Sequence, residues 1–90
     1  MIASAEAANV KVVVGHGFGL NLSTMAEIML GATSNNVLPG LECVGPLKVT
    51  DTVTNEQIDI SSGKMTLKEE IGVGMTLNDS KLSKYALKPI

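Results

Sequence analysis

One stretch of this chain, residues 10–19, constrains the fold more than any other. Valines and one lysine run into the turn Gly15-His-Gly-Phe-Gly19, and a helix is predicted to begin shortly afterwards at Thr24. An apolar run that ends in a turn before a helix is typical of a buried parallel strand in an α/β fold. Functional loops in such folds lie at the carboxyl ends of the strands. His16, the only histidine, falls at that position.

The length of the chain limits how much of an α/β fold it can form. Ninety residues suffice for one small domain or for a piece of a larger one. Hydrophobic residues make up 44% of the sequence, yet Phe18 and Tyr85 are its only aromatic side chains. A short chain has little interior for so many aliphatic residues, so we expect some of them to face a surface that the chain does not supply.

Charge and cysteine content argue against several classes of function. The net charge is −2, and the basic residues are scattered lysines without any arginine, which disfavours nucleic-acid binding. Cys43 is the only cysteine, so neither an internal disulfide nor a cysteine-rich metal site can form within one chain. We find no apolar run near the ~20 residues of a membrane-spanning helix and no basic signal-peptide start. The sequence therefore predicts a cytoplasmic protein with no membrane partner.

The first half of the chain carries two helix signals. The alanine-rich residues 2–8 predict a helix that ends at Asn9. Thr24 and Glu27 have the spacing of a capping box, which predicts a second helix over residues 24–33 with Thr24 as its N-cap.

The second half of the chain has a different character. Residues 58–67 alternate apolar and polar side chains around a Ser-Gly pair, which predicts a β-hairpin. Asn78 or Asp79 is predicted to cap a final short helix over residues 80–87, and Pro89 follows its end.

The residues themselves leave the role of the glycine-rich turn open. His16 could act as a general acid, a general base or a hydrogen-bond donor, although a lone histidine is more often structural. The glycines could cradle a phosphate, but neither the dinucleotide fingerprint nor a P-loop is present, so we favour a loop that needs close packing.

Other polar residues have simpler interpretations. Ser23 lacks the surroundings of a nucleophile elbow, and helix capping explains it better. Asp51 and the pair Glu69-Glu70 are predicted to be solvated loop charges, and Cys43 is predicted to pack inertly.

The order of several segments carries a resemblance to a known family. They are residues 9–15, 17–20, 25–32, 45–54, 60–67, 71–75 and 78–85. Together they resemble the carboxyl-terminal quarter of the enolase superfamily, in its muconate cycloisomerase and mandelate racemase-like branch. The first three resemble the eighth barrel strand, the loop after it and the last barrel helix.

The resemblance implies an α/β fold class. Residues 1–46 would be the last strand and helix of a (β/α)-barrel, and residues 47–90 a C-terminal tail, with the β-hairpin and a short helix, that joins the capping domain. The parent enzyme would abstract a proton α to a carboxylate while Mg²⁺ stabilises the enediolate. Its product would arise by racemisation, cycloisomerisation or water elimination.

The resemblance also implies site residues and partners. Many members carry a glutamate at the end of the eighth strand, where this chain has Gly15-His-Gly-Phe-Gly19. His16 is therefore the candidate catalytic residue, with Gly17 and Phe18 as candidate substrate-binding residues. The family's metal ligands and lysine base lie on earlier strands, so we expect no metal or cofactor in this chain and no activity from it alone. Its partners would be the rest of the barrel, the capping domain and a small carboxylate substrate.

A second hypothesis needs no catalysis. The high aliphatic content would suit a small α+β structural or interaction module that forms homo-oligomers. Burial of an exposed strand edge and of the face with Met25 and Met29 would drive that association.

Overall fold

Helices dominate the described part of the chain. A computed structural model describes residues 1–15, 17 and 19–88. The helical elements are α1 (Ile2–Ala7), α2 (Asn21–Ala32), a 3₁₀ turn (Gly45–Leu47) and α3 (Asp79–Tyr85). Among the described residues, β-pairing consists of isolated bridges, parallel between Val12 and Val37 and antiparallel between Thr54 and Leu77.

Helix α1 ends as the sequence predicts. Asn9 has a positive φ of 55°, the left-handed conformation that stops a helix. The amide of Asn9 donates to the carbonyl of Glu6, and the amide of Val10 donates to the carbonyl of Ala5 at 2.8 Å. These two bonds form a Schellman motif, which directs the chain out of the helix into residues 10–14.

Residues 10–14 form one step of an α/β arrangement. The amide of Val12 donates to the carbonyl of Asn36 at 3.0 Å, and the amide of Leu38 donates back to Val12 at 2.8 Å. The chain therefore passes through α2 and returns parallel to its starting direction. The full buried strand is not confirmed, because Val10 and Val13 remain 55% and 48% exposed.

A tight turn limits this parallel pairing. The amide of Leu41 donates to the carbonyl of Pro39 at 3.2 Å, which folds the returning segment back on itself. The next bond to residues 10–14 then comes from Glu42, whose amide donates to the carbonyl of Val14 at 3.1 Å. The pairing stays a single bridge because the returning segment turns away at this point.

Helix α2 begins earlier than predicted, and the Thr24 cap is wrong. Its N-cap is Leu20, without a side-chain cap bond. Asn21 is 2% exposed, and its Nδ2 donates to Thr54 Oγ1 at 3.2 Å and to the carbonyl of Glu56 at 3.0 Å. These long-range bonds fix the first turn of α2, so Thr24 lies inside the helix.

The predicted hairpin over residues 58–67 is not confirmed. Its turn is present, because Gly63 has a φ of 78° and its amide donates to the carbonyl of Ile60 at 2.9 Å. No ladder joins the two arms in the described chain. The arms do not pair with each other, and an isolated two-stranded hairpin is at best marginally stable.

The antiparallel contact forms elsewhere. The amide of Asn55 donates to the carbonyl of Thr76 at 3.0 Å, and the amide of Asn78 donates to the carbonyl of Val53 at 2.8 Å. Glu56 reinforces this contact, since its carboxylate accepts from the amide of Thr76 at 2.8 Å and from its hydroxyl at 2.9 Å. This pairing leads directly into α3.

Helix α3 has the predicted cap. Asn78 is the N-cap, and its Oδ1 accepts a hydrogen bond from the amide of Lys81 at 3.0 Å. Pro89, predicted to follow the helix, lies outside the described residues.

Asp51 is an anchor for α3, so its interpretation as a solvated loop charge is wrong. Its Oδ1 accepts from Lys81 Nζ at 2.9 Å, and its Oδ2 accepts from the Tyr85 hydroxyl at 2.6 Å. Lys84 Nζ lies 4.0 Å from Oδ2. The hydrogen bonds from Tyr85 and Lys81, together with one from the amide of Thr52, hold the pKa of Asp51 well below its usual range.

Replacing Asp51 with Asn is expected to loosen α3 from the rest of the chain. The lowered pKa means that the ionised carboxylate stabilises the fold above the pKa of the unfolded chain, and that this contribution is lost as the pH falls through the folded value. Tyr85 side-chain NMR shifts should therefore move towards those of a free tyrosine in D51N and in the native chain under strong acid. The control is D59N, because Asp59 bonds locally to Ser61. Unchanged Tyr85 shifts in D51N would contradict the anchor.

The core is small and half polar. Its buried apolar residues are Met25, Ile28, Val37, Cys43 and Val53, and its buried polar residues are Asn21, Thr24, Asn36, Thr52 and Thr54. Large aliphatic side chains remain outside it, with Ile71 fully exposed and Leu87 93% exposed. This fits the expectation that some apolar residues face a surface the chain does not supply. None of the described helices is long and apolar enough to cross a membrane.

Candidate functional site

The predicted site lies in the loop between residues 10–14 and α2. Of the residues predicted for it, the structure describes Gly17, which is half-buried. His16 and Phe18 lie outside the described residues, so their roles remain predictions from sequence.

Gly17 packs directly against an acid on α2. A Cβ atom at Gly17 would stand 2.5 Å from Glu27 Oε1, so a larger residue could not occupy this position unless Glu27 moved. Ser23, one turn earlier on α2, lies with its Oγ 3.4 Å from the same oxygen. This contact supports the interpretation of the glycine-rich loop as one that needs close packing.

Glu27 is the polar residue that sequence reasoning misplaced. The capping-box pattern predicts that Glu27 pairs with the N-cap Thr24, but its carboxylate lies against Gly17 of the loop instead. Its Oε2 is buried and has no hydrogen-bond partner among the described residues. Such an oxygen costs roughly 1–3 kcal/mol or more, and a group of this kind in a native fold needs an explanation. Glu27 is the only acid of α2, which is the signal that could have drawn attention to it.

Cys43 lies on the inner side of this acid. It is 6% exposed, and burial raises the pKa of its thiol. The negative charge of Glu27 and a hydrogen bond to its carboxylate raise that pKa further. A neutral, shielded thiol is a poor nucleophile, in line with the inert packing predicted for Cys43.

The start of α2 is fixed by a second close approach. A Cβ atom at Gly45 would overlap the carbonyl oxygen of Gly19 and would stand 2.8 Å from Thr24 Oγ1. Thr24 Oγ1 also donates to the carbonyl of Gly19 at 3.4 Å. The loop therefore reaches α2 in one defined position, held between the helix and the 3₁₀ turn.

Two open grooves border α2. One, of about 360 Å³, is lined by Met25, Met29, Met65 and Met75 together with several charged residues. The other, of about 580 Å³, is mainly apolar and includes Ile28, Leu41 and Cys43. No described residue of the loop lines either groove, so the grooves are not part of the candidate site.

Comparison with known proteins gives two relatives. The chain is 29% identical over 84 residues to the chloromuconate cycloisomerase of Cupriavidus pinatubonensis, a match that covers 93% of the chain and 23% of the relative. It is 29% identical over 83 residues to muconate cycloisomerase 1-1 of Acinetobacter lwoffii, covering 92% of the chain and 22% of the relative. This chain matches a segment of an enolase-superfamily enzyme. No family model and no solved structure matches it.

The match confirms the resemblance seen in the sequence. The chain spans less than a quarter of the length of these cycloisomerases.

The described residues do not suit a metal ion. Among them, no group of three or more histidine, cysteine, aspartate or glutamate side chains could hold one. Among the described residues, the side chains that approach the Glu27 carboxylate are the Ser23 hydroxyl and the Cys43 thiol.

Proposed function

We propose that this chain is the part of an enolase-superfamily cycloisomerase that carries the substrate-facing loop and the last barrel helix. The observation that carries the proposal is the match to two muconate cycloisomerases over more than nine-tenths of the chain. Because both relatives are named cycloisomerases, we favour that reaction over racemisation or water elimination. The complete enzyme would abstract a proton α to the carboxylate of a small substrate.

Within that enzyme, the loop would contact substrate through His16, Gly17 and Phe18. The position of Gly17 supports this, because it follows residues 10–14 at the end where barrel enzymes place their functional loops. Close packing of Gly17 on Glu27 gives the loop a fixed support on α2. His16 would donate a hydrogen bond or exchange a proton with the bound substrate.

The chemistry that Mg²⁺ supplies in the complete enzyme would be charge stabilisation of an enediolate, with ligands outside this chain. The 90 residues alone would be inactive. We also propose the division into residues 1–46 of the barrel and a tail of residues 47–90, and a cytoplasmic location.

The alternative is a self-associating module without catalysis. The exposed Val10 and Val13 favour it, because a strand with an uncovered edge and face tends to pair with another chain. In this case the bound partner would be a second copy of the chain.

Native mass spectrometry of the protein isolated from its own source separates the two proposals. We expect the chain to be found with a larger polypeptide, as part of a barrel enzyme. A homo-oligomer of the 90-residue chain would contradict the catalytic proposal and support the self-associating module. A 90-residue monomer would contradict both proposals.

A chimera tests the catalytic proposal directly. The matching segment of the chloromuconate cycloisomerase of Cupriavidus pinatubonensis is replaced by this chain, and turnover of chloromuconate is measured with and without Mg²⁺. We expect Mg²⁺-dependent turnover above that of the relative with the segment deleted. A chimera that unfolds cooperatively but shows no turnover would contradict the proposal.

A further inference from the structure

Methionine side chains gather at one place in this chain. Four of its five methionines line the groove of about 360 Å³ that borders α2, and the fifth is Met1. Met25 and Met29 lie four residues apart on α2, so they share one face of the helix. The other described residues that line the groove, with Met65 and Met75 among them, come from residues 56–75. Thioethers therefore lie on both parts of the chain that meet at this groove.

Residues 58–75 depend on side-chain packing for their position. In the described chain, the hydrogen bonds of this segment join groups within the segment itself. Its two ends are held by the antiparallel contact of residues 53–56 with residues 76–78. The ion pairs of the described chain lie at Asp51, outside the segment. Between its ends, the segment is therefore placed against α2 by the side chains that line the groove.

Three of the four methionines in the groove are open to a small oxidant. Met29, Met65 and Met75 are half-buried, whereas Met25 is 7% exposed. Cys43, the other sulfur near α2, is 6% exposed, and burial raises the pKa of its thiol, so little of the reactive thiolate forms. Oxidation therefore reaches these three methionines before it reaches the cysteine.

We propose that Met29, Met65 and Met75 form an oxidation site through which a peroxide releases residues 58–75 from α2. The thioether sulfur attacks one oxygen of hydrogen peroxide and the O–O bond breaks. The hydroxide that leaves takes the proton of the transferred oxygen, which gives a sulfoxide and water, with sulfur oxidised and peroxide reduced. A sulfoxide is polar, so it disrupts packing that an apolar thioether provides. This inference does not depend on the proposed function.

Peroxide treatment of the 90-residue chain tests the site. Peptide mass mapping gives the oxidation of each methionine, with the fully exposed Met1 as the reference for an unprotected thioether. Limited trypsin digestion measures release, because Lys64 and Lys68 lie in the segment and Lys11 lies outside it. Once the three thioethers are oxidised, we expect cleavage after Lys64 and Lys68 to rise about threefold or more, and cleavage after Lys11 to stay within about twofold.

The matched variant carries M29L, M65L and M75L together. Leucine has nearly the volume of methionine and cannot be oxidised, and exchanges between the two are well tolerated in packed sites. We expect the variant to match the native chain before treatment and to show no rise in cleavage after it. If the triple variant is already cleaved rapidly before treatment, the three single variants take its place, each with a smaller rise than the native chain.

Three results would overturn the inference. The first is complete oxidation of Met1 that leaves the other three thioethers intact. The second is oxidation of those three without faster cleavage after Lys64 and Lys68. The third is a response of the leucine variants to peroxide that equals the response of the native chain.

Discussion

Replacing Asn21 with Leu is expected to destabilise the chain by about 2 kcal/mol, the largest single effect on stability that we predict. Asn21 is 2% exposed and donates two hydrogen bonds, to Thr54 Oγ1 and to the carbonyl of Glu56. Leucine has a similar size but no donor, so Thr54 would lose a buried partner. The loss is a large share of the roughly 5–15 kcal/mol that stabilises a typical domain.

Urea denaturation followed by circular dichroism measures this effect. The control is N35L, since Asn35 is exposed in the turn after α2. We expect N35L to leave the midpoint nearly unchanged and N21L to lower it. Equal midpoints for the two variants would show that the buried hydrogen bonds of Asn21 do not join α2 to the second half of the chain.

Replacing His16 with Ala is expected to lower turnover of the chimera by about 10²-fold or more, the scale of a lost acid–base group. The free energy of unfolding should change little, because the proposed role of His16 is contact with substrate. Steady-state kinetics and urea denaturation of the same variant measure both quantities. Its control is K11A, because Lys11 is exposed on residues 10–14.

Two outcomes would contradict the role of His16. An unchanged kcat would show that the side chain does not take part in the reaction. A loss of turnover matched by an equal loss of stability would show that His16 supports the fold instead.

Local sequence signals were enough wherever the structure depends on neighbours along the chain. The end of α1 at Asn9 was predicted correctly, and of the two caps predicted for α3, Asn78 or Asp79, the structure has Asn78. Each of these ends depends on hydrogen bonds within a few residues. The turn at Gly63 was also predicted, and a positive φ is the reason that glycine suits it.

Predictions that needed distant partners were less successful. The capping box of Thr24 and Glu27 fits its template, but the buried bonds of Asn21 to residues 54 and 56 place the start of α2 elsewhere. Asp51 looked like a loop charge because Lys81 and Tyr85 lie 30 and 34 residues away in the sequence. No local pattern could have indicated either anchor.

The candidate site likewise has features that the sequence predicts and features that only the tertiary structure shows. The sequence by itself determined the resemblance to muconate cycloisomerases, the glycine-rich segment after an apolar run and the position of His16 within it, because residue order and composition carry that information. Only the tertiary structure shows Glu27 packed against Gly17, with no hydrogen-bond partner for its Oε2 among the described residues, since the direction of a side chain on α2 depends on where that helix starts. The start of α2 is in turn set by long-range bonds from Asn21, which sequence periodicity does not encode.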